Sequence, residues 1–440
     1  MITEIVVLGG GYTGVWAARA AAGAGARVRL VAAAPDHSFH GWTAEVITGH
    51  VRPERARVPL ADLLPGVEIV LGRVESVSLT QQTVRVATDH GHRHLAYDEL
   101  VVAVGSRDAV ERVPGLAEHG WSLKNPNGLA ALRHMLTTLP PDDRVVVAGG
   151  GLTGVEAATA IAQRRPDLQV TLAHSGEAAL PMLRPRFERV ADYALRQALA
   201  ANVEVLAGAR LVTVSATGAE LTGYGHVASE VVISTIGQTP VTLPGLDHLP
   251  TDEVGRLVTD PFLRLTEHVW AGGDVAAVPH PSGRGYCPAN ALWAIYQGKR
   301  IGANLVRTVA GRKPTPFRFP GLGQGASLGL GRGAAELYGV QLTGWPAWLA
   351  RWVFFHWFMP SRPVAVRTAL EWFTGPQWQG MSHDDDRDHR GPHRSDRRDA
   401  VQRNGGDHRR ADRGAGARPA GASRRRGDRR ERPVGAARVH

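Results

Sequence analysis

The chain has 440 residues, 51 Lys and Arg against 41 Asp and Glu, and a single cysteine, Cys287. Its length implies two or three domains, and 43% apolar residues can bury a substantial core. One thiol excludes a disulfide framework, a cysteine-rich zinc site and a four-cysteine iron–sulfur cluster, and no apolar run reaches the ~18 residues of a membrane span. The net charge of +10 is uneven: residues 382–440 carry 17 Arg against 10 acids, so the body is close to balance and nucleic acid is not an expected partner.

The N-terminus enters a strand-like segment with no basic region ahead of it, which predicts no export signal and a cytoplasmic protein. Residues 5–8 read as a strand, Gly9-Gly-Gly-Tyr-Thr-Gly14 as a turn, 15–23 as an Ala-rich helix and 27–31 as a returning strand. Residues 67–77 and 83–86 are β-rich, and Leu100-Val-Val-Ala-Val-Gly105 is a strand ending in glycine. The first unit then recurs: strand 144–148, turn Gly149-Gly-Gly-Leu-Thr-Gly154, helix 155–163, strand 169–172. The turns start 140 residues apart and share Gly-Gly-Gly-x-Thr-Gly-Val, an internal duplication of one βαβ unit. Residues 203–214 and 230–236 are again β-rich, the latter ending at Gly237, and Val269-Trp-Ala-Gly-Gly-Asp274 is a strand ending in Gly-Asp. A helix is predicted over 290–310, an aromatic-rich segment over 345–373, and no order from 382 onward.

In a Gly-x-Gly-x-x-Gly turn, Gly9 permits the tight bend, Gly11 lets backbone approach a pyrophosphate, and Gly14 lets the helix pack on its strand. The helix N-terminus then offers free N–H groups to phosphate oxygens. Gly149, Gly151 and Gly154 repeat the pattern, so two dinucleotides are expected. Asp274, after a strand, can accept hydrogen bonds from a flavin's ribityl hydroxyls or simply cap its own loop.

Together, Gly9 to Gly14, Tyr97-Asp-Glu-Leu-Val-Val-Ala-Val-Gly-Ser106, Gly149 to Glu156 and Ala271-Gly-Gly-Asp274 resemble the two-dinucleotide-domain flavoproteins, in particular type II NADH:quinone oxidoreductases, across about residues 1–375. The resemblance implies an α/β fold of two Rossmann-like domains: a discontinuous FAD domain (1–115 and 256–320), an inserted NAD(P) domain (116–255) and a C-terminal region (321–381). It implies FAD on the first turn, NADH or NADPH on the second, and hydride transfer from nicotinamide to flavin and on to a quinone. Gly105, Gly237 and Gly273 join the cofactor-binding positions. Glu156 and Gln297, the latter in Gln297-Gly298, match family residues near the nicotinamide and under the flavin; the plainer reading of Glu156 is an acid in a helix first turn.

Absences and departures narrow this. Residues 35–50 contain no cysteine, which excludes the disulfide reductases and flavin peroxidases of the superfamily, and Cys287 reads as structural. The acid that usually holds each adenosine ribose is missing: Ala32-Ala-Ala34 stands in the first unit, with Asp36 the nearest carboxylate, and His174-Ser175 in the second. His174 could pair with a 2′-phosphate, so relaxed or NADPH-leaning preference is expected. Ala291-Leu-Trp-Ala-Ile-Tyr-Gln-Gly298 places Leu292 and Tyr296 where the family tends to carry quinone-lining glutamines. That leaves as alternatives a soluble reductase serving a small redox protein, or a redox-sensing flavoprotein without turnover. No histidine spacing supports a metal.

Six of the 11 tryptophans fall in 345–378, and 348–359 is apolar on nearly all sides, broken by Arg351 and His356. A helix of that length cannot cross a bilayer but suits its interface, on the inner face of the cell membrane, or else packs on the protein or on a second copy in a homodimer. Residues 382–440 lack Leu, Ile, Phe, Trp, Tyr, Met, Cys and Lys. That composition cannot order; it reads as a basic arm or as the product of a frameshift in a GC-rich gene.

Overall fold

The computed structural model describes residues 2–124 and 126–374; the readings made for the Arg-rich tail lie outside them. The described residues form two parallel sheets. The first runs in the order Arg264–Thr266, Val269–Ala271, Glu99–Val102, Glu4–Leu8, Arg27–Ala32, Glu68–Leu71, parallel throughout except at the Arg264–Thr266 edge. Ile5, Val6, Val7 and Leu8 are all buried, as a parallel strand covered on both faces requires. Helix α1 (Tyr12–Ala22) follows the first strand, and α2 (Thr43–Thr48) lies beyond Arg27–Ala32.

The second sheet has the order Gly120–Ser122, Val231–Ser234, Arg144–Ala148, Gln169–His174, Glu204–Ala207, parallel throughout. Helix α3 (Leu152–Arg164) follows its central strand. Residues 67–77, read as one β-rich stretch, divide at Gly72 into Glu68–Leu71 in the first sheet and Arg73–Ser78 in a separate antiparallel one. A side chain at Gly72 would stand 2.5 Å from the Ala87 carbonyl, so only glycine lets the chain change sheets there. The chain leaves the first sheet through Ser106–Asp108 and returns through Gln238–Pro240, and these two segments pair antiparallel.

Helix α4 (Ala291–Val309) begins where Asn290 caps the Trp293 N–H at 3.1 Å. It lies against α1 at backbone contact. A Cβ at Gly298 would stand 2.5 Å from Thr13 O, and one at Gly302 2.5 Å from Ala20 Cβ, while Thr13 Oγ1 donates to Ala294 O at 2.9 Å. The small residues of α1 thus have a packing reason beyond helix propensity.

Helices α5 (Trp345–Phe358) and α6 (Arg362–Thr374) follow a three-stranded antiparallel sheet. Helix α5 packs on the protein along one side and leaves aromatic residues exposed on another. Ala347 and Arg351 are buried and Phe355 packs on Phe39 and Trp42, while Trp345 and Trp357 stand 60% and 66% exposed. Among the described residues, no helix is long and apolar enough to cross a membrane. Substituting Gly302→Val forces a branched side chain into the α1 contact and is expected to cost roughly 1–3 kcal/mol, read as a lower urea midpoint with unchanged m.

Candidate functional site

The six glycines that stand at the Gly-x-Gly-x-x-Gly positions of the two turns fall into two kinds. Gly9 has φ +112° and Gly149 φ +125°, a backbone that favours glycine, and a Cβ on Gly14 or Gly154 would overlap the carbonyl oxygen of Gly9 or Gly149. These four are explained by the protein's own packing. Gly11 and Gly151 are not. Both have extended backbone open to any residue, a Cβ at Gly11 meets nothing within 4 Å, and one at Gly151 meets only Met182 Cε at 3.5 Å.

Gly11 and Gly151 are also the N-caps of α1 and α3. Neither helix has a side-chain cap or an acid in its first turn. Each therefore presents free N–H groups and the positive end of its dipole to the space in front of a bare glycine, an arrangement that fits a pyrophosphate.

The Gly-Asp turn closes on the first of these sites. A Cβ at Gly273 would stand 2.8 Å from Thr13 Oγ1 on α1, and Gln297 Oε1 accepts the Gly273 N–H at 2.7 Å. Gln297 is buried and its amide oxygen is committed to that turn. Gly105 and Gly237 lie at the two chain crossings, where Val241 N–H donates to Gly105 O and Ala109 N–H to Gly237 O. Asp274 Oδ2 accepts from Ser106 Oγ at 2.8 Å and from Lys124 Nζ at 2.8 Å. Lys124 carries no motif and sequence reasoning missed it. The signal available was compositional, since it is one of only three lysines among 51 basic residues.

Glu156 stands past the first turn of α3, so the plainer reading of it does not hold. Its Oε1 accepts the Ser327 N–H at 2.6 Å and pairs with Arg351 Nη2 at 3.1 Å. Arg351 Nη1 meets Glu45 Oε1 of α2 at 2.6 Å. Burial pushes the Glu156 carboxyl up to about 7, against the opposing pull of Arg351.

The ribose positions are equally specific. Ala32 packs beneath the first turn, 3.3 Å from where a Gly10 Cβ would lie, and Asp36 is engaged with Arg57 at 2.8 Å. His174 is 5% exposed under the second turn, and burial holds its imidazole below the usual range. Cys287 is buried and its thiol is pushed up to about 12 by burial, so it holds no thiolate at neutral pH.

At the start of α4, Leu292 is buried and Tyr296 stacks on Phe319 with ring centroids 3.9 Å apart. Lys299 Nζ sits 4.8 Å over Trp16 and 4.9 Å over Tyr296.

The Glu156 value carries a stability consequence. A carboxyl raised above its ordinary 4.5 binds a proton when folded that the unfolded chain releases. Stability therefore falls as pH rises between about 4.5 and about 7, at no more than about 1.4 kcal/mol per pH unit from this group. Glu156→Gln should flatten that part of the profile of Tm against pH; a slope equal to wild type would contradict the assignment.

Residues 3–301, more than half of the chain, match the family described as pyridine nucleotide-disulphide oxidoreductase. The chain is 25% identical over 390 residues to demethylphylloquinone reductase NdbB of Synechocystis sp., covering 85% of this chain and 96% of that one. It is 25% identical over 414 residues to the type II NADH:quinone oxidoreductase Ndh of Mycobacterium tuberculosis, covering 84% and 87%. Among solved structures, NDH2 of Plasmodium falciparum in complex with NADH superposes with a TM-score of 0.77 at 14% identity, covering 85% of this chain and 98% of that one. That last likeness speaks for the fold. The chain belongs to the pyridine nucleotide-disulphide oxidoreductase family and is an FAD-dependent oxidoreductase.

Proposed function

We propose that this protein oxidises NADH through FAD and delivers the electrons to a quinone. The observation that carries the reading is the pair of uncapped helix N-termini behind Gly11 and Gly151, one on each parallel sheet. In this reading residues 1–115 and 256–320 hold FAD and 116–255 hold the nicotinamide nucleotide. Gly9, Gly11 and Gly14 seat the flavin pyrophosphate against α1, and Asp274 accepts from the ribityl chain. Gly149, Gly151 and Gly154 seat the nucleotide against α3. Bound FAD supplies the hydride acceptor at N5 and passes the electrons on.

The chain's own contribution is position and charge. Gln297 fixes Gly273 and with it the Asp274 turn. Glu156 holds or gives up a proton near neutrality beside the nucleotide helix. A relative named as an NADH:quinone oxidoreductase supports NADH as the nucleotide we assign. The relatives named as quinone reductases supply the acceptor class, and the exposed Trp345 and Trp357 of α5 suit a lipid interface where such an acceptor dissolves.

Anaerobic titration of the purified protein tests this directly. NADH should bleach the flavin's visible band rapidly and a short-chain quinone should restore it. A flavin that stays oxidised would move the reading to a redox-sensing flavoprotein, and a reduced flavin that ignores quinones would move it to a reductase for a small redox protein.

The bare N-caps give a sharper test. Gly151→Asp creates a good cap with space for its side chain, so it should hold or raise Tm. Its carboxylate would occupy the phosphate position, and KM for NADH should rise at least about tenfold with flavin content unchanged. Gly11→Asp should instead abolish flavin retention. Normal NADH and flavin binding in both variants would refute the two sites.

A further inference from the structure

We propose that Lys124 is a positioning residue that clasps the two chain crossings between the sheets to Asp274 and neutralises that carboxylate beside the flavin. The inference rests on the flavin reading of the first site. Lys124 follows Gly120–Ser122, the edge strand of the second sheet, by two residues. Its backbone is pinned there: Lys124 N–H donates to Asp108 Oδ2 at 3.3 Å, and Ser122 Oγ donates to the same oxygen. Asp108 ends the outgoing crossing, Ser106–Asp108.

From that anchor the ammonium reaches three acceptors, one for each of its N–H bonds. They are Asp274 Oδ2 at 2.8 Å, Gln238 Oε1 at 2.9 Å and the hydroxyl of Ser106. Ser106 belongs to the outgoing crossing, Gln238 to the returning one, and Asp274 to the turn over α1. One side chain of the second sheet's half therefore closes both crossings and meets the acid of the first.

Two consequences follow for Asp274. Oδ2 is taken by Lys124 and Ser106, so Oδ1 is the oxygen that would accept from a ribityl hydroxyl when FAD is bound. The carboxylate is also only 18% exposed, and Lys124 is the cation that pairs with it. A lone anion at that place would oppose the negative charge a flavin gains on reduction, whereas a neutral Lys–Asp pair does not. Arginine can supply the charge and several donors, though not the compact three-way geometry. Methionine supplies neither.

The test uses the full chain as wild type, Lys124→Met, Lys124→Arg and the Lys124→Met/Asp274→Asn double variant. The readouts are the dissociation constant of FAD from the reconstituted apoprotein and the midpoint potential of the bound flavin. Lys124→Met should weaken FAD binding at least about tenfold, as loss of a charge-assisted contact implies, and shift the potential negative. Lys124→Arg should recover most of both. The double variant should return the potential toward wild type, because no orphaned charge remains, while FAD stays weakly held. Should Lys124→Met not fold, the arginine and double variants still decide, since a double variant with a strongly negative potential overturns the charge argument. A yellow wild type whose affinity and potential Lys124→Met leaves unchanged overturns the inference alone. A wild type that binds no FAD overturns the flavin reading with it.

Discussion

A single guanidinium, that of Arg351, holds two carboxylates from distant parts of the chain. Glu45 comes from α2, Glu156 from α3, on which α2 packs, and Arg351 from α5, with Gly41 O accepting a further hydrogen bond at 3.0 Å. All three side chains are largely removed from water, so the charges are stable there only because they face one another. Burial raises the Glu156 carboxyl to about 7; Arg351 opposes that rise, and the second carboxylate, Glu45, adds a smaller push upward. The same contact fixes α5. With Arg351 buried, the opposite side of the helix must carry Trp345 and Trp357 outward. The exposed aromatic face and the protonatable group on α3 are thus tied to one interaction.

The glycine turns work through a different constraint. Four of the six glycines at the Gly-x-Gly-x-x-Gly positions are required by positive φ or by backbone overlap, and any fold with this strand–turn–helix geometry would need them. Gly11 and Gly151 satisfy no need of the protein itself. Glycine at an N-cap forgoes the stabilisation that Ser, Asp or Asn would contribute there. Leaving both caps bare makes sense when a ligand's phosphates do the capping.

The local parts of this architecture were legible in the amino-acid sequence. Strand, turn and helix of each unit depend on neighbours in the chain, and α4 was bounded by its own cap, Asn290. Contacts between residues far apart were not. Arg351 reads in sequence as an interruption of an apolar run, yet it is among the least exposed residues of α5, because its partners lie 306 and 195 positions away. Lys124 is similar: its three acceptors come from residues 106, 238 and 274, and no spacing in the sequence predicts their meeting. Gln297 was visible as a residue of interest through its family motif, but its use as a hydrogen-bond acceptor for Gly273 depends on tertiary structure.

The acceptor side shows how a departure from family pattern becomes a structural statement. Where an amide would offer hydrogen bonds, Tyr296 presents a ring, and that ring is already occupied by face-to-face contact with Phe319. Lys299 lies over Tyr296, Trp16 and Phe358, so α1, α4 and the end of α5 converge on one ammonium. Arg19 of α1 adds a hydrogen bond to Pro360 O just beyond α5. Under the proposed reading, a wall built of stacked rings and a caged cation would recognise a flat apolar acceptor by dispersion and shape, with few directional bonds. Discrimination among quinones by ring substituents should then be weak, and discrimination by bulk strong, because moving Tyr296 means breaking its stack with Phe319 and loosening the contacts that hold the aromatic helix in place.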